Sequence, residues 1–524
     1  MLESASPTSA PPNKRWAKVI DHDSCIGCHA CTTACKSENE VPLGVTRTFV
    51  KYVEVGAFPE VRRNYQVTRC NQCADAPCAT ACPTSAMHVR PDGIVDFDKS
   101  ICIGCKACIA ACPYDAIFIN PEDHAAEKCN FCAHRIDQGL EPACVVVCPT
   151  QAILVGDLND PTSKVARIVS REPVQVRRPE KDTLPKLFYK GAHQATLDPL
   201  AARRPGGGLF LWGEQRTGGQ HVVGGHAEQA GRHGTSSSAA ALLAYDVPHR
   251  APWDWKVSLY TVTKAIAAGA YLVPLALLAL GKIEATSPLW LWGAPGLGLL
   301  FLALTGALLI ADLTHPERFW MIFAKPQWRS WLVRGAFLIA GYGLVLAAHA
   351  LAAWSGRSDL PVKLAFAGAP LALATSVYTA FLFAQAKARD LWQSALLPPH
   401  MTVQTLLAGA AASLPIALAA APEAVPSLLW ILFFSSCLHL LFVLGETTLP
   451  HATAHARVAA FEMTSGRHRR SFQLGGAGSA VALLAPWSPA LGPAPISILA
   501  VVALAGLLAY EHAYVQAGQS VPLA

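Results

Sequence analysis

The stretch Cys25-Ile-Gly-Cys28-His-Ala-Cys31-Thr-Thr-Ala-Cys35 decides the fold of the first part of this chain. The same cysteine spacing, C-x2-C-x2-C-x3-C, recurs from Cys102 to Cys112, where it continues into Pro113. Three closely spaced thiolates can hold one face of an iron–sulfur cube, while the fourth cysteine follows a rigid turn and can bind a second cube. The spacing therefore predicts [4Fe–4S] clusters arranged in pairs.

Sixteen of the seventeen cysteines fall into four groups of four. The groups are Cys25, Cys28, Cys31 and Cys35; Cys70, Cys73, Cys78 and Cys82; Cys102, Cys105, Cys108 and Cys112; and Cys129, Cys132, Cys144 and Cys148. Structural zinc and disulfides are the alternatives. Zinc sites use paired C-x-x-C motifs without this ending, and disulfides need an oxidising compartment, so the pattern favours iron–sulfur clusters.

The segments around the cysteines repeat as well. Asp96-Phe-Asp-Lys-Ser-Ile-Cys102 matches the approach Asp21-His-Asp-Ser-Cys25, which indicates an internal duplication. Short apolar runs predict strands at 16–20, 86–89, 116–119 and 152–155, and the turn residues 91–93 predict a hairpin between 87–89 and 94–97. We expect an α+β ferredoxin-like iron–sulfur domain, duplicated as 2×[4Fe–4S].

The second half of the chain has a different composition. Of the 524 residues 52% are hydrophobic, and the apolar residues concentrate after residue 250. Eight apolar spans are predicted at about 257–280, 289–313, 331–354, 363–386, 401–420, 428–449, 471–486 and 495–515. Most reach the roughly 20 residues that cross a bilayer; the seventh is short and ends at Pro486. The pattern predicts an all-α eight-helix transmembrane bundle.

These changes in composition divide the chain into five segments. We expect a disordered leader (1–15), a four-cluster [4Fe–4S] ferredoxin-like domain (16–160), an extended wrap (161–204), a Gly/Ser/His-rich linker (205–244) and a membrane domain (245–524). The formal net charge is +6. Four cysteine-bound clusters would add roughly −8, so the basic balance does not indicate nucleic-acid binding.

The charged loops predict the orientation of the membrane domain. With eight spans both termini lie on one side, and the loops on that side carry ten Lys and Arg residues against three on the other. The positive-inside rule places the termini and the cluster domain in the cytoplasm of a prokaryote, at the inner membrane. We also expect that the first residues are not an export signal, which agrees with that placement.

Ionisable residues inside the spans are candidates for chemistry, since they are costly there. The candidates for a quinone and proton site are Lys264, Asp312, Tyr378 and Glu446, with Tyr260, Arg318 and His439 as pocket contacts. Each also has a structural alternative: Asp312 could pair with Arg318, Lys264 could reach the headgroups, and Tyr378 could be a packed aromatic. His349 and His439 could ligate a haem, but two lone histidines are a weak pattern, and no haem is expected.

The cysteine groups resemble the four-cluster electron-transfer subunits of molybdopterin oxidoreductases, such as polysulfide, dimethyl sulfoxide and tetrathionate reductases. The resemblance implies that the first group pairs with the fourth and the second with the third, each lending its last cysteine across. The implied ligand sets are Cys25, Cys28, Cys31 and Cys148; Cys129, Cys132, Cys144 and Cys35; Cys102, Cys105, Cys108 and Cys82; and Cys70, Cys73, Cys78 and Cys112. It implies four [4Fe–4S] clusters.

The second half resembles the NrfD/polysulfide-reductase family of membrane subunits. The resemblance rests on the eight spans, on Asp312-Leu-Thr-His-Pro-Glu-Arg-Phe319 and on the segment that runs from Tyr378 to Asp390. It implies a quinone site for menaquinone or ubiquinone. Together with the cluster resemblance it implies a separate catalytic subunit with a molybdenum or tungsten bis-pterin cofactor. The predicted cytoplasmic face favours a subunit that oxidises sulfite or another sulfur compound, or formate.

Two other functions stay open at this stage. The membrane domain could relay protons across the bilayer as an energy-converting module. It could also be a plain anchor without quinone chemistry, in which case Tyr378 and Asp312 would be replaceable. The chain has no visible pterin or flavin motif, so we expect the substrate chemistry to lie on another subunit.

Overall fold

The computed structural model describes residues 14–57, 59–203 and 240–524, which form two compact units. Unit 1 comprises the chain up to Pro252 together with residues 386–388 and 521–524, and unit 2 comprises the rest. Most of the predicted leader and most of the predicted linker lie outside the described residues.

Unit 1 is the α+β part of the protein. Its described strands are β1 (Trp16–Asp21), β2 (Thr48–Val55), β3 (Arg62–Arg69), β4 (Met87–Val89), β5 (Val95–Phe97), β6 (Ile117–Ile119), β7 (Ala126–Lys128), β8 (Ile153–Asp157), β9 (Val174–Gln175), β10 (Leu187–Lys190) and β11 (Ala241–Tyr245). Its described helices are α1 (Ala30–Glu38), α2 (Pro77–Ala81), α3 (Ala107–Ala111), α4 (Ala133–Ile136), α5 (Ala143–Val146), α6 (Lys164–Arg171) and α7 (Gln194–Leu197).

The strands of unit 1 form two sheets and two hairpins. One sheet has the order β8-β1-β10-β9, with β1 parallel to β10 and antiparallel to β8, and the other has the order β11-β2-β3. The hairpins are β4-β5 and β6-β7. The predicted strands and the predicted hairpin are confirmed. The segment 161–204, interpreted from sequence as an extended wrap, contains α6 and supplies β9 and β10 to the first sheet.

The duplication of the cysteine motif extends to the backbone. His29 and Lys106 occupy matching places in the first and third groups, and their φ angles are 60° and 61° with ψ of 4° in both. Ser85, Asp115 and Gln151 each lie three residues after the last cysteine of a group, and they too have left-handed φ angles of 59°, 50° and 51°. One local turn is therefore used repeatedly to present the cysteines.

Unit 2 is helical throughout its regular structure. Its helices are α8 (Trp255–Ala279), α9 (Ala294–Ala311), α10 (Met321–Ala324), α11 (Trp331–Trp354), α12 (Asp359–Gln385), α13 (Leu397–Ala420), α14 (Val425–Thr448), α15 (Ala454–Thr464), α16 (Arg469–Val481) and α17 (Pro493–Gln519). A single π-helical turn, Leu289–Gly293, extends α9 at its amino end.

Within the described residues seven helices are long and apolar enough to cross a membrane, so the expected count of eight is approximate. The seventh predicted span forms α16 and then a 3-10 helix, Ala482–Leu491. Pro486 and Pro489 lie in that 3-10 segment and lack the N–H donors that an α-helix needs. The α-helix therefore stops before it reaches spanning length.

Helix α8 is the most deeply buried of the seven long helices. It packs closely on α13 at Gly269 and Gly409: a Cβ added at Gly269 would lie 2.1 Å from the carbonyl oxygen of Thr405. Small residues allow such close approach between membrane helices. This packing holds the side chains of α8 next to those of α13.

Candidate functional site

Two cavities in unit 1 are each lined by four cysteines. One cavity is bordered by Cys82, Cys102, Cys105 and Cys108. A second cavity is bordered by Cys70, Cys73, Cys78 and Cys112. In both, one cysteine comes from a different sequence group than the other three.

The remaining eight cysteines also gather in sets. Burial and the negative charge of Cys129, Cys144 and Cys132 raise the pKa of the Cys35 thiol to about 12. Burial raises the pKa of Cys25 too, and the nearby thiols of Cys148 and Cys28 add to this effect. Cys35 and Cys148 are thus neighbours of the opposite group, and four thiols that raise one another's pKa suit a cationic iron cluster.

The sulfur atoms have hydrogen-bond donors that favour thiolate ligands. Backbone N–H groups point at four of them: Gln72 donates to Cys70 (3.4 Å), Met87 to Cys82 (3.3 Å), Ala126 to Cys102 (3.4 Å) and Ala152 to Cys148 (3.3 Å). All seventeen cysteines lie in the described residues and are free thiols, so the disulfide alternative has no support. The residues present fit [4Fe–4S] clusters, which would supply one-electron transfer.

In unit 2, Lys264 forms the centre of one buried polar group. Its ammonium donates to the carbonyl oxygen of Ser376 (2.7 Å) and to Oγ1 of Thr379 (2.6 Å), and it lies 5.0 Å from the centroid of the Tyr378 ring. The side chain is only 2% exposed. The two helices that carry these residues, α8 and α12, thus hold a cation with no carboxylate bonded to it among the described residues.

The position of Tyr378 is fixed by close packing. The ring lies against Gly335 of α11, where an added Cβ would be 2.3 Å from its Cε2 atom. Tyr260, one turn before Lys264, is buried as well and lies within electrostatic range of Tyr378 and Asp312. Three of the sequence candidates, Tyr260, Lys264 and Tyr378, therefore lie together.

Asp312 and Arg318 follow the end of α9. Asp312 caps that helix and is 8% exposed, whereas Arg318 ends the 3-10 turn Pro316–Arg318 and lies 3.8 Å from Glu317. Asp312 is near enough to Tyr260 to influence it electrostatically. Asp312 therefore borders the Lys264 group, and Arg318 lies further along the loop.

A second buried polar group joins α13, α14 and α17. The His400 ring contacts Oε1 of Glu446 through Nδ1 (3.1 Å) and Nδ1 of His439 through Nε2 (2.8 Å). The Tyr510 hydroxyl donates to the other oxygen of Glu446 (2.6 Å). Glu446, His400 and His439 form a continuous carboxylate–imidazole–imidazole chain, an arrangement that can pass a proton.

Glu511 connects the two polar groups. Its Oε1 atom accepts from Gln404 (2.7 Å), and it lies within electrostatic range of both His400 and Lys264. Sequence reasoning found Glu446 and His439 but missed His400, Tyr510 and Glu511. The signal for Glu511 was present, since it is an ionisable residue inside the last apolar span, whereas His400 lies one residue before the predicted start of the fifth.

The two histidines considered as haem ligands have different surroundings. His349 packs against Trp290 (4.7 Å between ring centroids) and Tyr271 (5.7 Å). His439 is hydrogen-bonded to His400. The structure does not bring His349 and His439 together.

Comparisons with known proteins match both units. Residues 16–37 match a 4Fe-4S binding domain, residues 61–158 a 4Fe-4S dicluster domain, and residues 246–522 the family described as polysulphide reductase, NrfD. The B component of tetrathionate reductase from Salmonella typhimurium is 43% identical over 196 residues, 37% of this chain and 78% of that protein. The B component of polysulfide reductase from Wolinella succinogenes is 43% identical over 178 residues, 33% of this chain and 93% of that protein. Protein NrfC of Escherichia coli is 41% identical over 177 residues, 33% of this chain and 79% of that protein.

Proposed function

This protein belongs to the NrfD polysulphide reductase family, and on that premise we propose that it carries electrons between a separate catalytic subunit and a membrane quinone. It is a multi-pass membrane protein in which an iron–sulfur electron-transfer subunit is fused to an NrfD-type membrane subunit. The fusion itself supports the proposal, because one chain then contains both an electron conductor and a membrane site.

We assign four [4Fe–4S] clusters to the four cysteine sets. Two sets border the cavities described above, and the thiols of the other two are electrostatic neighbours in the same crossed pairing. We expect about sixteen irons per chain. Each cluster passes one electron at a time, so two transfers supply the electron pair that converts a quinone to a quinol.

We place the quinone beside Lys264 and Tyr378. The observation that carries this assignment is the buried Lys264 ammonium, which lies over the Tyr378 ring and has Ser376 and Thr379 as its bonded partners. A buried cation can bind and polarise a quinone carbonyl oxygen, and it stabilises negative charge that develops there. Tyr260 and Asp312 border this site, while Arg318 and His439 are more distant contacts.

The catalytic partner in this proposal is a molybdenum or tungsten bis-pterin subunit. The matched relatives are named as parts of tetrathionate and polysulfide reductases, which favours a sulfur compound as substrate. A cytoplasmic cluster domain, as the charged loops predict, suits oxidation of sulfite or another sulfur compound, with formate as the alternative. Electrons would then run from the substrate to the quinone pool.

The test uses the purified complex and the Lys264→Met variant. Reduced viologen dye supplies electrons to the clusters, and a soluble menaquinone analogue accepts them. We expect about a hundredfold loss of quinone reduction with unchanged iron content, because the variant removes the buried cation. Lys363→Met is the matched control, since Lys363 is 70% exposed and pairs with Asp359.

Either of two outcomes would contradict the quinone assignment. One is quinone turnover in Lys264→Met within twofold of the wild type; the other is an equal loss in the Lys363→Met control. Intact clusters without quinone turnover in the wild-type complex would favour the plain anchor. Molybdenum or tungsten in a co-purifying large subunit would support the partner assignment, and the absence of both metals would contradict it.

A second candidate function is proton transfer through unit 2. The Glu446–His400–His439 chain favours it, and Glu511 lies between that chain and Lys264. Quinone reduction consumes two protons, which these residues could deliver to the Lys264 site. A route to the opposite membrane face would make the module energy-converting.

A further inference from the structure

Arg69, the last residue of β3, is a buried cation beside one cysteine set. Its side chain is 2% exposed, and its Nη1 atom donates to the sulfur of Cys144 at 2.9 Å. The Nε and Nη2 atoms of Arg69 are buried as well and have no hydrogen-bond partner among the described residues. Leaving such donors unpaired is costly, so their position calls for an acceptor that belongs to the site.

A second cation lies at the same sulfur. The Lys18 ammonium is 3.7 Å from the sulfur of Cys144 and 4.1 Å from the centroid of the Phe131 ring, and its side chain is also 2% exposed. The guanidinium stays charged throughout the accessible pH range, so its effect does not depend on titration.

A neutral donor completes the surroundings of this set. Asn39 Nδ2 lies 3.7 Å from the sulfur of Cys35 and 3.8 Å from that of Cys132. Arg47 holds the Asn39 amide by donating to its oxygen at 2.7 Å, and Glu127 in turn pairs with Arg47 at 2.7 Å. Side chains therefore donate to three of the four sulfurs, Cys35, Cys132 and Cys144.

The donors at other sets are of a different kind. Cys70, Cys82, Cys102 and Cys148 receive backbone N–H bonds, which carry no net charge. Lys128, which lies near Cys70 and Cys78, donates to the carbonyl oxygens of Val95 and Cys129. The Arg69–Cys144 contact differs from these because a charged group donates a hydrogen bond directly to the sulfur of a cluster ligand.

We propose that Arg69, supported by Lys18 and Asn39, gives the cluster bound by Cys35, Cys129, Cys132 and Cys144 the highest reduction potential of the four. The inference rests on the proposed ligand sets and is independent of the quinone site. Reduction of a cluster adds one electron and one negative charge to its core, and Arg69 stabilises that charge by Coulomb attraction and by N–H···S bonds. No proton moves, so the potential is independent of pH around neutrality.

The proposal assigns a role in electron transfer to this cluster. An electron that enters the four-cluster domain settles first at the site of highest potential. The cluster beside Arg69 therefore holds one electron when the other three are oxidised. Arg69 acts by holding a positive charge beside a cluster ligand, and it contacts that ligand rather than the substrate.

The test is a redox titration of the holoprotein followed by electron paramagnetic resonance. In Arg69→Met we expect the signal that appears first on reduction to shift to lower potential, so that the reduced fraction at the wild-type midpoint falls about tenfold. Arg69→Lys should show a smaller shift because it keeps the charge. Lys190→Met, which removes a half-buried cation paired with Asp21 and Glu172 rather than with a cysteine sulfur, should leave the titration unchanged.

An unchanged first midpoint in Arg69→Met with full iron content would overturn the proposal. If Arg69→Met loses about four irons, the Lys18→Met variant is measured instead, since it leaves Arg69 in place. A lower first midpoint potential in Lys18→Met than in the wild type supports the proposal, and an unchanged first midpoint potential contradicts it. Fewer than four clusters in the wild-type holoprotein would contradict the ligand sets instead, so the two failures are distinguishable by iron content.

Discussion

Unit 1 and unit 2 both bury charged side chains, but they neutralise them in different ways. In unit 1 the buried cations Arg69 and Lys18 lie against the sulfur of Cys144, a ligand of a proposed cluster. In unit 2 the carboxylate of Glu446 bonds to His400 and Tyr510. We expect the first arrangement to stabilise added electrons and the second to exchange protons.

The difference shows how one chain can separate the electrons and the protons of quinone chemistry. Fixed charges such as a guanidinium stay protonated, so they tune electron affinity without moving protons. Imidazole groups change protonation near neutral pH, and a carboxylate oxygen can accept a proton from a bonded imidazole or hydroxyl group, so these side chains suit proton delivery. Three changes test this comparison, beginning with the largest expected effect.

Replacing a buried cluster ligand should have the largest effect. Cys108→Ala removes one ligand from the set with Cys82, Cys102 and Cys105. We expect this variant to lose one cluster, about four irons per chain, and also to lose viologen-driven quinone reduction. Iron analysis and electron paramagnetic resonance measure this. Cys437→Ala is the control because Cys437 lies in α14, outside the four sets. Full iron content in Cys108→Ala would remove that ligand set from the proposal.

Neutralising Glu446 in unit 2 should have an intermediate effect on quinone-linked turnover. Glu446→Gln keeps the shape but cannot accept a proton between Tyr510 and His400, so we expect quinone-linked turnover to fall about a hundredfold and its solvent isotope effect to rise. Proton uptake by the enzyme in liposomes measures the coupling.

The control for this change is Glu423→Gln, since Glu423 lies 3.3 Å from Ser287 and outside the chain of histidines. Iron content should be unaffected in both variants. Unchanged turnover with an unchanged isotope effect in Glu446→Gln would make the buried chain a packing feature.

The smallest effect should come from the place where unit 1 uses a carboxylate–imidazole arrangement. His249 contacts Asp115 and lies 3.2 Å from Asp246. Burial alone would lower its pKa, but Asp246 and Asp115 raise the pKa of His249 to about 10. The stabilisation of folded unit 1 by protonated His249 is therefore complete below pH 6.5 and is lost as the pH rises through about 10.

We expect His249→Gln to destabilise unit 1 by about 3 kcal/mol at pH 7, with little difference from the wild type above pH 10. The temperature at which visible cluster absorbance is lost, measured at both pH values, reports this. His134→Gln is the control, because the His134 side chain is 46% exposed and its pair with Glu38 contributes little. If His249→Gln lowers the temperature of absorbance loss by the same amount at both pH values, the charge of His249 is unimportant for stability.

Much of the fold could be predicted because its signals are local. The strands and the β4-β5 hairpin follow short apolar runs and turn residues, and the predicted spans at 257–280 and 331–354 correspond closely to α8 and α11. The seventh span was harder, since an apolar composition does not reveal that prolines convert a helix to the 3-10 form. The order β8-β1-β10-β9 was not predicted, because β1 and β10 are more than 160 residues apart in the sequence and no local signal indicates that they pair.

The candidate site divides in the same way. Lys264, Glu446 and the cysteines became candidates because a charge in an apolar span, or a cysteine at fixed spacing, is visible in a single segment. Tyr378 became a candidate through the family resemblance of its segment. His400, Glu511 and Arg69 were missed because each gains its meaning from a distant partner: Gln404 and Glu511 are 107 residues apart, and Arg69 and Cys144 are 75 apart.

The sequence by itself determined the class of this protein: the cysteine spacing predicts the clusters, and the apolar spans predict a membrane domain. Both are properties of a few consecutive turns of chain, which backbone geometry and bilayer thickness limit. Only the tertiary structure decided which cations face the cysteines and which acids face the histidines. A buried charge is stable only beside a partner, and the fold selects that partner from anywhere along the chain.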